Sequence, residues 1–567
     1  MPSSFKYTVL DIETDEIPVT KIHCICCMDF ETGETKEFID NLDEFVEFHK
    51  QDPERIYIMH NGVSFDAIVL SRLLQICLPP KRVWDTMLAS QMIQPHRDGG
   101  HSLKAWGERL QCEKIDFKDN FETYSNEMLY YCRQDVALTR KLAQHLQPLL
   151  KPFGKAPVRL EHKVRHIITQ QELNGFYLDQ KKASMLMADL EDNSGQIKQD
   201  LQKIFPPIIT ERYSDKTGKR LKDNVEVFNP NSRQQIIKRL KAVGWQPDPQ
   251  RLTPKGQPIV DESVLSEIDL SEAKKMSEFL LMQKRVSQIK SWLEAVGPDS
   301  RVHGRVITIG CVTHRMSHYS PNMAQIPASY SPYGPECRDC WTVEDPVNYC
   351  LVGSDASSLE IRCFAHYLNN QKYTDIVVGG DIHNVHKEAL GLADRSVCKT
   401  WLYAYIYGAG NEKLGKVVGG GMSEGKQLRD KFESAFPMIR ELKNKITAMI
   451  RSNHGNIKAI DGRLLECRSE HSALNVLLQS CGSIVCKHFL CEIDRMVKEK
   501  KLDARPVANV HDEVQWEVKR DQAEEFGQIT KQAMKQAEKI LQFNCPLDSE
   551  YHIGTTWKET HLSLIHI

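Results

Sequence analysis

The chain has 567 residues, of which 41% are hydrophobic and 26% are charged. These fractions are ordinary for a globular protein and exclude an intrinsically disordered chain, a collagen and a long coiled coil. The 74 basic and 76 acidic side chains leave a net charge of −2, which by itself argues against a simple basic nucleic-acid binder.

The charge is distributed unevenly along the chain. Residues 1–150 carry 24 acidic and 16 basic side chains, whereas residues 151–300 carry 20 acidic and 25 basic ones. At about 100–200 residues per domain, the length predicts about three to five domains. The sequence contains no run of 18 uninterrupted apolar residues, so it predicts no membrane span. The N-terminus lacks the pattern of a secretory signal. The 17 cysteines, an odd number, favour a reducing cytosol over a disulfide framework.

The first 150 residues have the pattern of strands followed by helices. Strands are predicted over 7–12, 23–30 and 55–60. Helices are predicted over 67–75 and 126–146. This order predicts an α/β or α+β domain that ends near residue 150, before a linker at 151–154.

Four carboxylates of this segment lie on separate predicted elements. Asp11 and Glu13 share one face at the end of the first strand, Asp66 follows the third strand, and Asp135 lies on a helix. Such a set can hold two divalent metals about 3.5–4 Å apart, which activate a water in phosphodiester hydrolysis. Tyr131, one helical turn before Asp135, would lie within reach of that water. Taken singly, Asp11 or Glu13 is more often a solvated surface acid.

Long amphipathic helices are predicted from about residue 159 to 300, most clearly over 181–204 and 271–296. A short polar and basic stretch, 206–229, lies between them. Beyond residue 300 short strands and helices alternate. A strand over 351–355 ends in Asp355, and residues 507–518 alternate apolar and polar side chains as in a β-hairpin.

That hairpin contains Asp512 and Glu513. Phosphoryl transfer requires carboxylates that bridge metals where an attacking oxygen and a triphosphate can line up. Asp355 and Asp512 are the natural pair for this chemistry, with Glu513 in support. Each acid taken alone is equally typical of a turn or of a strand end.

Two further sets of polar side chains repeat every four residues, which keeps each set on one helical face. Arg395, Lys399, Tyr403 and Tyr407 combine two cations with two aromatic rings, a surface that grips a triphosphate and stacks on a base. His471, Asn475 and Gln479 suit hydrogen bonds to the minor groove. The alternative for both sets is an amphipathic helix with an apolar stripe and a polar edge.

In combination these motifs resemble two known families. The proofreading 3′–5′ exonucleases are matched by Asp11-x-Glu13, Asn61-x4-Asp66 and Tyr131-x3-Asp135. The family A (Pol I-like) DNA polymerases are matched by Asp355-x-Ser357-x2-Glu360-x-Arg362, Arg395-x3-Lys399-x7-Tyr407-Gly408, His511-Asp512-Glu513, and upstream Thr313-x-Arg315 with Pro321-Asn322-x2-Gln325. The resemblance covers essentially the whole chain and is closest to replicative polymerases of short-tailed bacteriophages.

The resemblance implies an RNase H-like 3′–5′ exonuclease domain over 1–150, followed by a right-hand polymerase domain. The thumb would span 155–300, the palm 301–369 and 461–567, and the fingers 370–460. The implied activity is template-directed extension of a primer 3′-hydroxyl with dNTPs, with proofreading by the exonuclease.

The resemblance also implies a role for each matching residue. Asp355, Asp512, Glu513 and Tyr131 would be catalytic. Two Mg²⁺ ions per active site, with Mn²⁺ as an alternative, would be bound by Asp355 and Asp512, and by Asp11, Glu13, Asp66 and Asp135. The nucleotide would contact Arg395, Lys399, Tyr403, Tyr407, Glu360 and His383. The DNA would contact Arg315, Asn322, Gln325, His471, Asn475, Gln479 and His511.

Two of these positions imply a nucleotide preference, and others depart from the family pattern. Glu360 would exclude ribonucleotides, and Tyr403 in place of Phe implies that dideoxynucleotides are accepted. His314 stands where relatives usually carry Gly, and His471 where they often carry Arg. Relatives that recruit thioredoxin carry a long thumb insertion, whereas residues 205–229 are short, so we expect no thioredoxin dependence. The basic stretch 212–222 is expected to contact duplex phosphates, with a solvated loop as the equal alternative.

The expected partners are primer–template DNA, dNTPs and a phage helicase, primase or single-strand-binding protein, with no membrane. The expected location, by resemblance, is the cytoplasm of an infected bacterium. Three rival functions remain open at this point: a single-subunit RNA polymerase, a DNA-binding or clamp-like protein, and an exonuclease with a polymerase-like scaffold. Glu360 and the intact carboxylates argue against the first two. Residues 562–567 have no counterpart in the resemblance.

Overall fold

The computed structural model describes residues 5–112, 114, 117, 120–249, 251–380 and 382–561. The chain divides into two compact units. As far as these ranges are described, the first unit comprises Met1–Gly175, Gly304–Ala324 and Asp345–Thr555, and the second comprises Phe176–His303, Gln325–Glu344 and Thr556–Ile567. Residues 562–567, the expected tail, lie outside the described part.

The first unit begins with a five-stranded sheet. Its strands and the helices around it are β1 (Tyr7–Thr14), β2 (Ile22–Asp29), β3 (Thr35–Phe38), α1 (Asp43–Lys50), β4 (Ile56–Met59), α2 (Asp66–Leu74), β5 (Val83–Asp85), α3 (Thr86–Ile93), α4 (Leu103–Arg109) and α5 (Asn126–Leu150). The strand order is β3-β2-β1-β4-β5, with β1, β4 and β5 parallel and β2 antiparallel to β1 and β3. This is the RNase H-like arrangement expected from the sequence, and the three predicted strands are confirmed.

Helices cover both faces of this sheet. Val9 and Cys24 pack against α5 on one face, while Leu10 and Ile25 pack with α1 and α2 on the other. Because neither face meets solvent, the strands are nearly continuous apolar runs. Asp11 lies two residues from Val9, and therefore on the face covered by α5.

The remaining elements follow in chain order: α6 (Lys155–Asn174), β6 (Phe176–Leu178), α7 (Gln180–Ile204), β7 (Ile208–Tyr213), β8 (Arg220–Glu226), α8 (Arg233–Ala242), α9 (Glu262–Glu267), α10 (Ser271–Glu294), β9 (Arg301–Val302), β10 (Arg305–Ile307), β11 (Ser317–Tyr319), α11 (Gly334–Asp339), β12 (Trp341–Thr342), β13 (Tyr349–Ala356), α12 (Leu359–Leu368), α13 (Gln371–Val378), α14 (Ile382–Leu390), α15 (Arg395–Ile406), α16 (Asn411–Val417), α17 (Met422–Ala435), α18 (Met438–Ser452), β14 (Asn456–Lys458), β15 (Leu464–Glu466), α19 (Ala473–Lys500), β16 (Ala504–Val510), β17 (Glu513–Lys519), α20 (Ala523–Ile540) and β18 (Ser549–Gly554).

The second unit is built on the long helices α7 and α10, which confirm the two predicted helices. Both contribute to a core in which Leu201 and Phe205 pack with Phe228 and Met276. The basic stretch between the predicted helices forms an antiparallel hairpin, β7–β8, with mostly exposed residues. A small sheet of order β12-β6-β9 completes the unit.

The later part of the first unit contains a four-stranded antiparallel sheet of order β16-β17-β13-β18. The helices α6, α12, α19 and α20 and the helices from α13 to α18 share one apolar core with it. With the turn before it, α19 spans Glu470–Lys500 and is the one described helix that is long and apolar enough to cross a membrane. Since 83% of its apolar window is buried inside the molecule, we read α19 as a core helix.

Candidate active sites

The carboxylates predicted for the exonuclease site (Asp11, Glu13, Asp66 and Asp135, hereafter the exonuclease carboxylates) come from one strand of the first sheet and two helices beside it. Asp11 and Glu13 alternate along β1, Asp66 begins α2, and Asp135 lies on α5, which packs against β1. Tyr131 lies one turn before Asp135 on the same helix. The charge of each of the other three carboxylates acts on Asp11, so the structure brings the predicted set together.

The turn before α2 is held in place by the buried carboxylate of Asp85, which no sequence motif predicts as part of the site. The Oδ1 and Oδ2 atoms of Asp85 accept hydrogen bonds from the backbone N–H groups of Asn61 (3.0 Å) and Val63 (3.2 Å). Asp85 also caps α3 through the N–H of Met87. These bonds hold the segment that delivers Asp66 to the site.

Protonation of the exonuclease carboxylates reflects burial and mutual repulsion. Burial first, then the charges of Glu13, Asp66 and Asp135, raise the pKa of Asp11 well above its usual range. Burial, with Cys24 and Asp135 nearby, raises the pKa of Glu13 to about 8, and burial raises that of Asp66 to about 7. A cluster of this kind is stabilised by a cation, because a cation relieves the repulsion.

Lys114 is a member of this site that the sequence did not reveal. Its Nζ donates to Asp135 Oδ2, and lies 4.6 Å from the centre of the Tyr131 ring. Burial alone would lower the pKa of Lys114, but the charge of Asp135 and the hydrogen bonds with Asp135 and Tyr131 together outweigh burial and raise the pKa. Lys114 belongs to none of the described helices or strands and to no recognisable motif, so only the folded chain places it here.

The palm carboxylates (Asp355, Asp512 and Glu513) meet at one end of the four-stranded sheet. Asp355 lies near the end of β13 and pairs in register with Glu513 on β17. Asp512 lies in the tight turn between β16 and β17, and its carbonyl accepts the N–H of Ala356 (3.2 Å). Ala356, the residue after Asp355, is therefore hydrogen-bonded directly to the backbone of Asp512, and this bond holds the two acids side by side.

The electrostatics of the palm carboxylates resemble those of the first site. Desolvation in the cleft and the charges of Asp512 and Glu513 raise the pKa of Asp355 to about 8. Desolvation and the charge of Glu360 raise the pKa of Asp512 to about 6. Glu513 is buried and accepts a hydrogen bond from Gln515 Nε2 (2.7 Å), which suits a supporting role.

Two predicted nucleotide or DNA contacts, Tyr407 and Arg315, converge on Glu360 at the start of α12. Tyr407 Oη donates to Glu360 Oε1 (3.2 Å), and Arg315 Nη2 lies 3.6 Å from the same oxygen. The rings of Tyr407 and Tyr403 are 6.2 Å apart, and the ring of Tyr403 is 6.4 Å from that of His383. Arg315 and Asp512 also line one small cleft with Glu360.

The two predicted triphosphate ligands lie on α15, the helix that also carries Tyr403. Arg395 is the first residue of α15, and Lys399 lies one turn later; both side chains are exposed. Neither forms an ion pair with any described residue. Their charges are therefore open to an anionic ligand.

The predicted minor-groove set is corrected in one respect. Asn475 and Gln479 lie on α19, but His471 lies in the 3₁₀ turn that precedes it, Glu470–Ser472, so the three are not on one α-helix. Ser469 caps this turn by accepting the N–H of Ser472 (3.2 Å), which sets the break in the helix. His471 lies against Gly408, the residue after Tyr407, where an added Cβ would stand 3.5 Å from the His471 carbonyl oxygen.

The remaining predicted DNA contacts lie on turns. His511 occupies the β16–β17 turn with φ of 59° and is exposed. Asn322 Oδ1 accepts the N–H of Ala324 (3.1 Å), and the carbonyl of Gln325 accepts a hydrogen bond from Gln288 Nε2 (2.9 Å). Gln325 belongs to the second unit, whereas Arg315 and Asn322 belong to the first.

The departure at His314 has a structural counterpart. The φ of His314 is 57°, a left-handed conformation that Gly adopts without strain. Its side chain is buried and its Nδ1 accepts a hydrogen bond from Arg463 Nη1 (3.0 Å). Arg463 also pairs with Glu161, which in turn accepts hydrogen bonds from Lys487 Nζ (2.8 Å). This buried network (Glu161, His314, Arg463 and Lys487) was not foreseen from the sequence.

Two family models match the chain. One is described as 3′–5′ exonuclease and matches residues 2–151; the other is described as DNA polymerase family A and matches residues 209–559. The DNA-directed DNA polymerase of Enterobacteria phage T3 is 29% identical over 98% of this chain and 100% of its own length. The DNA polymerase I of Aquifex aeolicus is 24% identical over 89% of this chain and 88% of its own.

A solved structure shares the fold. The POL domain of Pol1 from M. smegmatis, described in complex with DNA primer-template and dNTP, superposes with a TM-score of 0.82 at 17% identity. The match covers 98% of this chain and 96% of that one.

Proposed function

Because this chain belongs to DNA polymerase family A and carries a 3′–5′ exonuclease domain, we propose that the palm carboxylates perform DNA synthesis and the exonuclease carboxylates perform proofreading. The protein is a DNA-directed DNA polymerase, and its relatives in phages T3 and T7 support a role as a phage replicative polymerase. Family membership decides against the RNA polymerase, the clamp-like protein and the pure exonuclease. The observation that carries the assignment is the backbone bond from Ala356 to Asp512, which holds Asp355 and Asp512 together.

Both domains belong to families that depend on divalent metals, and the donor sets here fit such ions. Carboxylate oxygens are the ligands that Mg²⁺ prefers. Burial first, and then neighbouring negative charges, raise the pKa values of Asp355 and Glu13 to about 8, and a bound cation would favour their charged forms. We infer Mg²⁺ as the cofactor, held by Asp355 and Asp512 in the palm. When bound, the metals would supply Lewis-acid stabilisation of the attacking and leaving oxygens.

The protein's own side chains would orient the nucleotide around those metals. Arg395 and Lys399 would neutralise the triphosphate and the departing pyrophosphate, with His383 assisting. Glu360, fixed by Tyr407 and Arg315, would crowd the ribose 2′ position and exclude ribonucleotides. Tyr403 would admit a dideoxynucleotide; a Tyr403→Phe variant with unchanged dideoxy termination contradicts that role.

The exonuclease residues would have corresponding roles in the hydrolysis reaction. Asp11, Glu13, Asp66 and Asp135 would hold the metals, and Tyr131 would orient the attacking water. Lys114 would act as the counter-ion of Asp135, and would hold that carboxylate in place when the site contains no metal. Arg315, Asn322, Gln325, Asn475, Gln479, His471 and His511 would contact the primer–template.

We further propose that the protein acts in the cytoplasm of an infected bacterium, with a helicase, a primase or a single-strand-binding protein as partners and without thioredoxin. Fractionation of infected cells tests the location: recovery of the polymerase with the membrane fraction contradicts it. Retention of phage replication proteins on the immobilised polymerase tests the partners.

The experiment for the two sites is a labelled, correctly paired primer–template with Mg²⁺ and dNTPs. Wild type extends the primer and, without dNTPs, shortens it. Asp355→Asn is expected to lose extension alone, and Asp11→Ala to lose shortening alone. A variant that loses both, while its circular dichroism and melting temperature are unchanged, contradicts separate sites.

A further inference from the structure

A thiol stands among the exonuclease carboxylates. One ligand atom each from Asp11, Glu13 and Cys132 lies within 4.8 Å of the other two. The Sγ of Cys132 is 3.5 Å from Asp11 Oδ2, and Cys132 is fully buried on α5. No other described group of His, Cys, Asp or Glu meets this criterion, so the palm carboxylates have no comparable thiol.

A second thiol faces the same point. Cys24 on β2 lies directly opposite Glu13 in the β1–β2 register, as Cys26 lies opposite Asp11. Cys24 and Cys132 belong to one buried cluster on the α5 face of the sheet, and Cys24 is fully buried. The 4.8 Å group itself consists of Asp11, Glu13 and Cys132, and Cys24 adjoins it.

This donor set differs from one that selects Mg²⁺. Mg²⁺ takes oxygen ligands in octahedral geometry, whereas thiolates select softer ions such as Zn²⁺. In a tetrahedral zinc site, Zn–S and Zn–O bonds of about 2.3 and 2.0 Å place a sulfur about 3.5 Å from a neighbouring ligand oxygen. The measured distance between Cys132 Sγ and Asp11 Oδ2 is also 3.5 Å.

We propose that Asp11, Glu13 and Cys132, with Cys24 beside them, form a binding site for a thiophilic divalent cation, Zn²⁺ or Cd²⁺, and that its occupancy switches off proofreading without affecting synthesis. The ion would replace the thiol proton of Cys132, which leaves to solvent. It would also take Asp11 and Glu13 away from the ions used for hydrolysis. The inhibitory consequence rests on the proposed exonuclease function, but the binding itself does not.

The binding test titrates the full-length protein with Cd²⁺ in excess Mg²⁺. Binding is measured by the ultraviolet charge-transfer absorption of Cd²⁺–thiolate bonds. All proteins carry Cys77→Ser, which removes the exposed thiol. We expect one Cd²⁺ per chain to produce the band. Binding should weaken by about 100-fold in Cys132→Ser, which loses a ligand, and by about 10-fold in Cys24→Ser, which loses a neighbour of the site. Cys27→Ser, a buried thiol on the opposite face of β2, should bind like the parent.

The activity test compares primer shortening with primer extension while Zn²⁺ or Cd²⁺ is added. Shortening should be inhibited in the parent and resistant in Cys132→Ser, and extension should be unaffected in both. An absent band in the parent, or a band in Cys132→Ser equal to that of the parent, overturns the proposal. If the parent shows no shortening before any soft ion is added, the proposed exonuclease function fails, while the absorption test still decides the metal site.

Discussion

At the scale of single residues, the titration of Glu13 gives a direct test of the electrostatics. Its folded-state pKa of about 8 exceeds its ordinary value of 4.5, so between these pH values the folded protein binds more protons than the unfolded chain. Stability of the metal-free protein should therefore fall as pH rises through this window. Below pH 4.5 Glu13 is protonated in both the folded and the unfolded state, so this loss of stability is absent.

Removing that charge should stabilise the metal-free protein. In EDTA at pH 8 we expect Glu13→Gln to raise the free energy of unfolding by about 2–4 kcal/mol, since one pKa unit corresponds to about 1.4 kcal/mol. At pH 4.5 the gain should vanish. Urea unfolding at the two pH values measures it, with the exposed Glu16→Gln as control. Destabilisation by Glu13→Gln at pH 8 would contradict the account.

The residues that sequence reasoning missed share a physical reason. Asp11, Glu13, Asp355 and Asp512 were found because each ends a strand or occupies a hairpin turn in a motif. Lys114, by contrast, acts through a contact with Asp135, 21 positions away, and lies on no regular element. Such contacts depend on tertiary packing rather than on periodicity.

At the scale of elements, the buried network joins α6, α19 and the segment before β15. Glu161, Arg463 and Lys487 are all almost fully buried, and Glu161 is the carboxylate that both cations share. His314 of the same network is followed by Arg315, which contacts Glu360. The network therefore connects the core of the palm to a residue at the nucleotide site.

Loss of Glu161 should be costly because it removes the carboxylate paired with the buried Lys487 and leaves the buried Arg463 with Asp461 as its paired carboxylate. We expect Glu161→Gln to lower the free energy of unfolding by about 3–5 kcal/mol, measured by urea denaturation. Glu191→Gln, an exposed carboxylate on α7, should change it by less than about 0.5 kcal/mol. A loss below about 1 kcal/mol for Glu161→Gln would show that the network is not structurally important.

The hairpin β7–β8 carries exposed lysines at its turn and on β8. Lys216, Lys219 and Lys222 are exposed, and none forms an ion pair with a described residue. If all three contact duplex phosphates, their replacement by Gln should reduce the slope of log affinity against log salt by about 2–3. Fluorescence anisotropy of a labelled duplex at several salt concentrations measures the slope.

The control for the hairpin is a triple variant in the acidic first domain, Lys6→Gln, Lys21→Gln and Lys36→Gln, which changes charge by the same amount. Its salt slope should match that of wild type. Equal slopes for the hairpin variant and wild type would favour the solvated-loop alternative.

Elements with a strong period were predictable, and short or exposed ones were not. The strands β1 and β2 and the helices α7 and α10 have long apolar patterns and were found, and β4 was found as a run of four apolar residues. The strands β3 and β5 are equally short or shorter and include charged residues, so they show neither an apolar run nor a period. The hairpin β7–β8 was missed because its strands are exposed on both faces, which removes the alternation that marks a half-buried strand.

At the scale of the whole molecule, the chain is shorter than its phage relatives. Its alignment with the phage T3 enzyme runs over 707 positions, whereas the chain has 567 residues, so at least 140 aligned positions have no residue here. Between α7 and α8 the chain has only the hairpin β7–β8. This observation supports the absence of a long thumb insertion.

We therefore expect thioredoxin to leave the length of the products unchanged. The measurement is extension of a primed long single-stranded template under single-binding conditions, with and without reduced thioredoxin. A phage polymerase that responds to thioredoxin serves as the positive control. A large gain in product length for the present protein would contradict the expectation.

The assignment of two opposing reactions to two carboxylate clusters in one chain is the central claim. It is tested most directly with a primer whose 3′-terminal base is mismatched, followed by sequencing of the extended products. Wild type should remove the mismatch and extend a corrected primer. Asp11→Ala should leave the mismatch in every product, and Asp355→Asn should shorten the primer without extending it. Corrected products from Asp11→Ala, or extension by Asp355→Asn, would contradict the account.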